Sequence, residues 1–335
     1  MQRGPTGQGY EGGGHTPMHG GSGAAYNDKP ADTVALQLVA MAWHEGRTGT
    51  MGHESQQHSS WPRISICVDD FGLHEGINKA VFALARQGRV QAVSAMVGGP
   101  AWKDGALALR VFDQQQLEVG LHLDLTEFPQ QPALLTPIKR LIVRAYLRRL
   151  DEAVLRSEIR AQFDAFEQAM GRAPAFVDGH QHVHQLPMVR TLLLQELARR
   201  YPAGNLWLRA TFSPQGAAHS DAVTGFKSHG IALLGARSLS KLARRQGLRQ
   251  NVRLLGVYDF TGGVQQYRAR LTRWLRAAKD GDLLMCHVGL PSHMPDVLAD
   301  TRKDEFAVLA APDFETLLLD ARVRLKPMGQ ILCWQ

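Results

Sequence analysis

The chain has 335 residues, 44% of them hydrophobic and 21% charged, and its 38 basic against 31 acidic residues leave a formal net charge of +7. This is the composition of a globular protein, which excludes a fibrous or wholly disordered chain, and no run of about 18 apolar residues marks a membrane-spanning helix. Three cysteines exclude a disulfide scaffold and make a reducing, cytoplasmic setting the expectation.

Residues 1–60 stand apart from the rest. Nine glycines fall within the first 25 residues, mixed with Gln, Thr, Pro and His. Such a stretch buries too little apolar surface to offset its ordering entropy, and it reads as a disordered tail with at most one short helix over Thr33–His44. From Arg63 onward, short apolar runs alternate with helical patterns. Ile64–Val68, Ala92–Val97, Leu117–Leu123, Phe176–Asp178, Leu206–Ala210, Leu254–Val257, Leu283–His287 and Gln330–Trp334 read as strands. Gly76–Gln87, Asp151–Met170, Pro187–Arg200 and Gln265–Ala277 read as helices. In the second of these, Leu155, Ile159, Phe163, Phe166 and Met170 trace one apolar face and Gly171 follows as a stop. Alternating strand–helix units call for a parallel sheet, and residues 63–335 suit a single (β/α) barrel of the α/β class.

One segment exceeds a minimal unit. Glu127–Leu150 is Pro-rich and then helical, with Thr136 as a candidate N-cap and Pro137 at the first helical position. It leaves the third strand, so it belongs over the barrel mouth as a lid or substrate wall. Arg140, Arg144 and Arg148 recur every four residues, a basic stripe whose plainest reading is a solvated helix face. With the other basic residues spread over several helices, no nucleic-acid partner is expected.

Four signals concern chemistry. Asp69 and Asp70, in Asp-Asp-Phe-Gly, close the first strand. Neighbours on an extended chain point opposite ways, so a bend there lets one carboxylate bind a metal while the other faces substrate; helix capping is the structural alternative. His122 lies near the end of the third strand, where a lone imidazole can equally be a core residue. His180, His182 and His184 follow Asp178 at alternate positions and would share one face of a strand. Burying three imidazoles without partners is costly, so a metal site is their natural use. His287 ends the seventh apolar run. Cys286 beside it, like Cys67, reads as a buried apolar thiol. All four signals fall at carboxyl ends of strands, which converge in a barrel. Asp, His and His from three strands make a three-ligand set with open positions, as in a catalytic metal site.

The same residues carry a family resemblance. Ile66–Asn78, with Asp-Asp-Phe-Gly and a helix starting Gly-Ile-Asn, Val119–Thr126 (VGLHLDLT) and Phe176–Pro187 (FVDGHQHVHQLP) resemble, in order, motifs of the YdjC-like, or ChbG/HpnK-type, carbohydrate deacetylases. His287–Gly289 (HVG) looks like that family's HPG motif with Val288 in place of Pro, and Arg302 and Glu305 match an R-x-x-E near its C-terminus. The resemblance covers the chain from about Ile64. It implies a barrel of the glycoside hydrolase/deacetylase type that removes an acetyl group from an N-acetylated sugar or oligosaccharide. It also implies one divalent ion on Asp70, His122 and His180, with Mg²⁺ a candidate, while ligand softness in such a set favours Zn²⁺, Co²⁺ or Ni²⁺. Asp69 is then the general base and His287 the general acid, with His182, His184, Thr126, Arg302 and Glu305 behind the ligands or against substrate. A metal phosphoesterase on a similar barrel and a non-catalytic sugar-binding barrel are the competing readings. Homo-oligomerisation stays open.

Overall fold

The structure is a computed structural model and describes residues 60–213 and 235–332. The expected tail and its helix over Thr33–His44 lie outside the described residues up to 59. Eight parallel strands form one sheet: β1 (Arg63–Phe71), β2 (Ala92–Ala95), β3 (Glu118–Leu123), β4 (Phe176–Gly179), β5 (Trp207–Leu208), β6 (Leu254–Leu255), β7 (Asp282–Cys286) and β8 (Arg324–Leu325). Their order is β5-β4-β3-β2-β1-β7-β6, with β8 paired to the start of β1. The Leu208 amide donates to the Arg249 carbonyl at 2.9 Å, and the Leu254 amide to the Phe212 carbonyl at 2.6 Å. These bonds tie the chain after β5 to the chain before β6, so the sheet curls into a barrel-like cup.

Between the strands lie α1 (Glu75–Arg86), α2 (Trp102–Leu109), α3 (Ile138–Tyr146), α4 (Glu152–Met170), α5 (Val189–Arg200), α6 (Ala236–Arg245) and α7 (Gly263–Arg276). After β7 come α8 (Ala299–Leu309), α9 (Phe314–Ala321) and, beyond β8, a single turn α10 (Met328–Ile331). Period-two alternation sorts the strands' side chains. Ile64, Ile66 and Val68 join the helix-facing core, whereas Cys67, Phe176, Trp207, Leu283, Met285 and Met328 pack as a separate inner cluster. Phe176 stacks on Trp207 with centroids 4.2 Å apart. A Cβ on Gly120 would sit 2.5 Å from the Phe176 ring, so β3 carries no side chain there. The predicted helix Asp151–Met170 forms as read: Asp151 caps it by accepting from the Val154 amide at 3.0 Å, and Gly171 ends it at φ 69°.

Three local expectations are corrected. Gln330–Trp334 is not a strand over the residues described: Pro327 opens the α10 turn, and the free amides of Met328 and Gly329 donate to buried Glu118. Pro137 itself occupies the N-cap of α3, and Thr136 makes no capping bond. Residues His180–Gln185 form a 3₁₀ segment, with Gln181 and His182 left-handed at φ 51° and 60°. The three histidines therefore share no strand face.

Candidate active site

The two adjacent carboxylates of β1 both reach one cleft of about 550 Å³ at the carboxyl ends of the strands. A register shift between Val68 and Phe71 breaks the alternation, and Asp70 takes φ 65°. Asp tolerates the left-handed region better than most residues, which suits it to that bend. Asp70 Oδ1 then lies 2.9 Å from His180 Nδ1 and 3.4 Å from His122 Nε2. One donor atom from each of Asp70, His122 and His180 lies within 4.8 Å of the others, and all three residues are buried.

Each member is held from behind. His122 and Asp178 are register partners on β3 and β4, and Asp178 Oδ1 accepts from His122 Nδ1 at 2.6 Å and from Ser94 Oγ at 2.5 Å. That leaves His122 Nε2 facing Asp70, the carboxylate–histidine arrangement that orients a metal ligand. Arg302 Nη2 donates to Asp70 Oδ2 at 2.8 Å. Glu127 Oε1 lies 3.0 Å from His180 Nε2. Burial opposes ionisation throughout, yet the Arg302 charge holds the Asp70 carboxyl well below its usual range. Burial disfavours an imidazolium at His122, but the Asp178 charge outweighs it and pushes the pKa up to about 9. Burial likewise disfavours an imidazolium at His180, and the Asp70 charge outweighs it and raises that pKa. This cup of buried carboxylates favours positive charge between the two imidazoles. One oxygen and two nitrogen donors, with a cleft on the open side, fit a divalent ion.

Asp69 sits beside this set, gripped by Arg209: Nη1 to Oδ2 and Nη2 to Oδ1, each 2.6 Å. Arg209 Nη2 also lies 2.7 Å from Asp178 Oδ2. The cluster of Cys67, Asp69 and Asp178, which has metal-like spacing, is thus occupied by a fully buried guanidinium. It does not supply the second ion site a two-metal phosphoesterase needs.

His287 lines the cleft, edge-on to Phe260 with centroids 5.1 Å apart, and its backbone N–H donates to Glu305 Oε2 at 2.5 Å. Burial lowers its pKa to about 4. Glu305 is itself held by the Tyr258 hydroxyl at 2.6 Å, so it supports His287 and does not reach the cleft. Val288, where the resembled motif has Pro, is fully buried. His182 lines the cleft, whereas His184 lies beneath it and donates from Nε2 to the Arg209 carbonyl at 3.2 Å. Thr126 belongs to a turn: its amide and hydroxyl donate to Asp124 Oδ1 at 2.8 and 3.0 Å, and it is not among the lining residues. The insertion contributes Glu127, Phe128 and Ile138 to the wall; its arginine stripe does not line the cleft.

Sequence reasoning passed over Arg209, Asp178, Glu127 and Asp296. Arg209 had a signal: a charge inside Leu-Trp-Leu-Arg-Ala must be buried and therefore paired. Asp296 accepts from Arg302 Nε at 2.6 Å and lies 3.2 Å from His74 Nε2, fixing Arg302 against Asp70. Nothing in its loop sequence marks it.

Fold and site together define a barrel-like α/β protein with a buried Asp–His–His donor set at the carboxyl ends of its strands. Residues 63–320 match the YdjC-like protein family, and the chain belongs to that family. It is 31% identical over 233 residues to a carbohydrate deacetylase of Mus musculus, a match covering 55% of this chain and 73% of that protein. It is 33% identical over 150 residues to a chitooligosaccharide deacetylase of Enterobacter sp., covering 41% of this chain and 56% of that one. The chain thus spans about half the length of that bacterial relative. Among solved structures, a candidate cellobiose-phosphate cleavage protein of Enterococcus faecalis shares the fold. It aligns with a TM-score of 0.59 at 18% identity, over 82% of this chain and 100% of that one. Among the described residues, no helix is long and apolar enough to cross a membrane.

Proposed function

We propose that the cleft hydrolyses the acetamide of an N-acetylated sugar or oligosaccharide and releases acetate, with one divalent ion on Asp70, His122 and His180. The observation that carries this reading is the convergence of those three donors beside a separately anchored carboxylate, Asp69. The names of the mouse and bacterial relatives support the substrate class. Mg²⁺, Zn²⁺ and Co²⁺ are the candidate ions, and Asp/His/His donors favour the softer two.

A bound divalent ion supplies Lewis-acid polarisation of the acetyl carbonyl. Asp69 takes the proton of the attacking water. Arg209 grips both of its oxygens and so fixes the carboxylate's orientation during that transfer. His287 receives that proton and passes it to the departing amine. Burial keeps its imidazole neutral near pH 7, so it carries that proton only while the C–N bond breaks. His182 and Arg302 line the same cleft, and Nδ1 of the one and Nη1 of the other have no hydrogen-bond partner in the structure. Their position in the cleft wall supports the reading that both residues act on the substrate side.

The test is acetate release from N-acetylglucosamine oligosaccharides with Mg²⁺, Zn²⁺ or Co²⁺ added separately. Release that stops on chelation and returns with one of these ions supports the reading. Phosphate release from sugar phosphates without acetate release overturns it.

A further inference from the structure

Several surface cations of this protein are paired, and others among the described residues are not. Arg63 with Asp280, Lys79 with Glu75, Arg156 with Glu152, Arg200 with Asp164 and Arg268 with Asp313 all form ion pairs. The insertion contributes none of these pairs. From Phe128 to Leu150 the sequence holds five basic residues, Lys139, Arg140, Arg144, Arg148 and Arg149, and no acidic one. Among the described residues, none of the five meets a carboxylate; Arg144 Nη2 donates only to the Arg149 carbonyl, at 3.3 Å.

The same segment exposes apolar side chains. Leu141 and Ala145 turn inward and are fully buried, while Leu135, Val143 and Leu147 are 55%, 56% and 57% exposed. In helical register, Lys139, Val143 and Leu147 lie one above the next on the outer face, with Arg140 and Arg144 on the adjoining row. A solvated helix face needs no Val and Leu among its arginines, and a surface that contacts only polyanions does not either. Apolar side chains flanked by unpaired cations match an interface with anionic lipid, where aliphatic groups enter the acyl boundary and cations meet headgroups.

We propose that the insertion docks this protein on an anionic membrane surface through Val143, Leu147 and the flanking cations. Phe128 and Ile138 of the same segment line the cleft, so docking brings the cleft's wall to the headgroup layer. The proposal does not rest on the deacetylase reading, and its test reads binding alone.

The full chain is sedimented with vesicles of phosphatidylcholine carrying about 30 mol% phosphatidylserine, against phosphatidylcholine alone. Binding is expected to the first only and to weaken with salt. Replacing Arg140, Arg144 and Arg148 together by Ala should weaken it roughly a hundredfold, since each cation near such a surface contributes about fivefold. The exposed pair Val143→Asp/Leu147→Asp should weaken it by about tenfold or more while circular dichroism stays unchanged. Equal binding to both vesicle types overturns the proposal. So does binding unmoved by Val143→Asp/Leu147→Asp, which would mark a site for soluble polyanions such as nucleic acid. A dimer in solution that this pair dissociates, with no vesicle binding, overturns it as well.

Discussion

The two ends of the barrel bury carboxylates in opposite ways. At the amino end, Glu118 of β3 accepts only from neutral donors: Trp207 Nε1 at 3.1 Å and the amides of Met328 and Gly329 at 3.1 and 2.8 Å. Among the described residues no cation pairs with it, and burial pushes its pKa up to about 7. At the mouth, Asp69 and Asp178 share Arg209, and Asp70 has Arg302. Burial opposes the charge on Asp178 as well, yet Arg209 brings its pKa down to about 2. Hydrogen bonds alone let one end keep a structural acid that protonates near neutrality. Buried guanidiniums let the other keep several charged carboxylates next to two imidazoles, which is what a cation site requires.

The largest break in this comparison should come from Asp69→Asn. The amide keeps the shape but removes the base, and turnover should fall by about 10²–10⁴-fold with metal content unchanged. Acetate release and metal analysis on the same sample check this; full activity would remove Asp69 from the proton path. Arg209→Met comes next. It leaves Asp69 and Asp178 buried without their cation, and unfolding in denaturant should show a loss of about 3–5 kcal/mol. A loss below about 1 kcal/mol would mean that water reaches both carboxylates.

The amino end sharpens the contrast through pH. Glu118 binds its proton more tightly folded than unfolded, so between roughly pH 4.5 and 7 the folded state holds more protons and its stability falls as pH rises. The glutamate's contribution should drop by about 3 kcal/mol across that window and then level off. Glu118→Gln cannot titrate, so the difference in stability between wild type and variant should slope from pH 4.5 to 7. A flat difference would show that Glu118 stays ionised throughout. The smallest effect is expected away from both ends: Asp151→Ala removes the cap of α4 and should cost about 1 kcal/mol, with activity untouched.

The mouth was more legible in the sequence than its scaffolding. Asp70, His122 and His180 each follow an apolar run, so strand periodicity alone placed them at one end of a barrel. The grouping of Asp69 with Arg209 was not legible, because 140 positions separate them and β5 is only Trp207–Leu208. The histidine triplet misled for a related reason. Alternate spacing predicts a shared strand face, but left-handed Gln181 and His182 turn the chain, sending His180 into the cleft and His184 beneath it. At the carboxyl end, apolar content in Gln330–Trp334 suggested a strand where Pro327 and the buried Glu118 carboxylate instead fix a helical turn. Thr126 reads as a site residue in its motif and serves a turn in the structure. In each case a long-range partner or a local turn overrode the pattern.

The most direct test of the account is anomalous diffraction from crystals of the full chain grown with Zn²⁺ or Co²⁺. The account predicts one peak per chain, about 2.0–2.2 Å from one side-chain atom each of Asp70, His122 and His180, and no peak at that position in His180→Ala. A peak bonded to other residues, or none where these three converge, would contradict it.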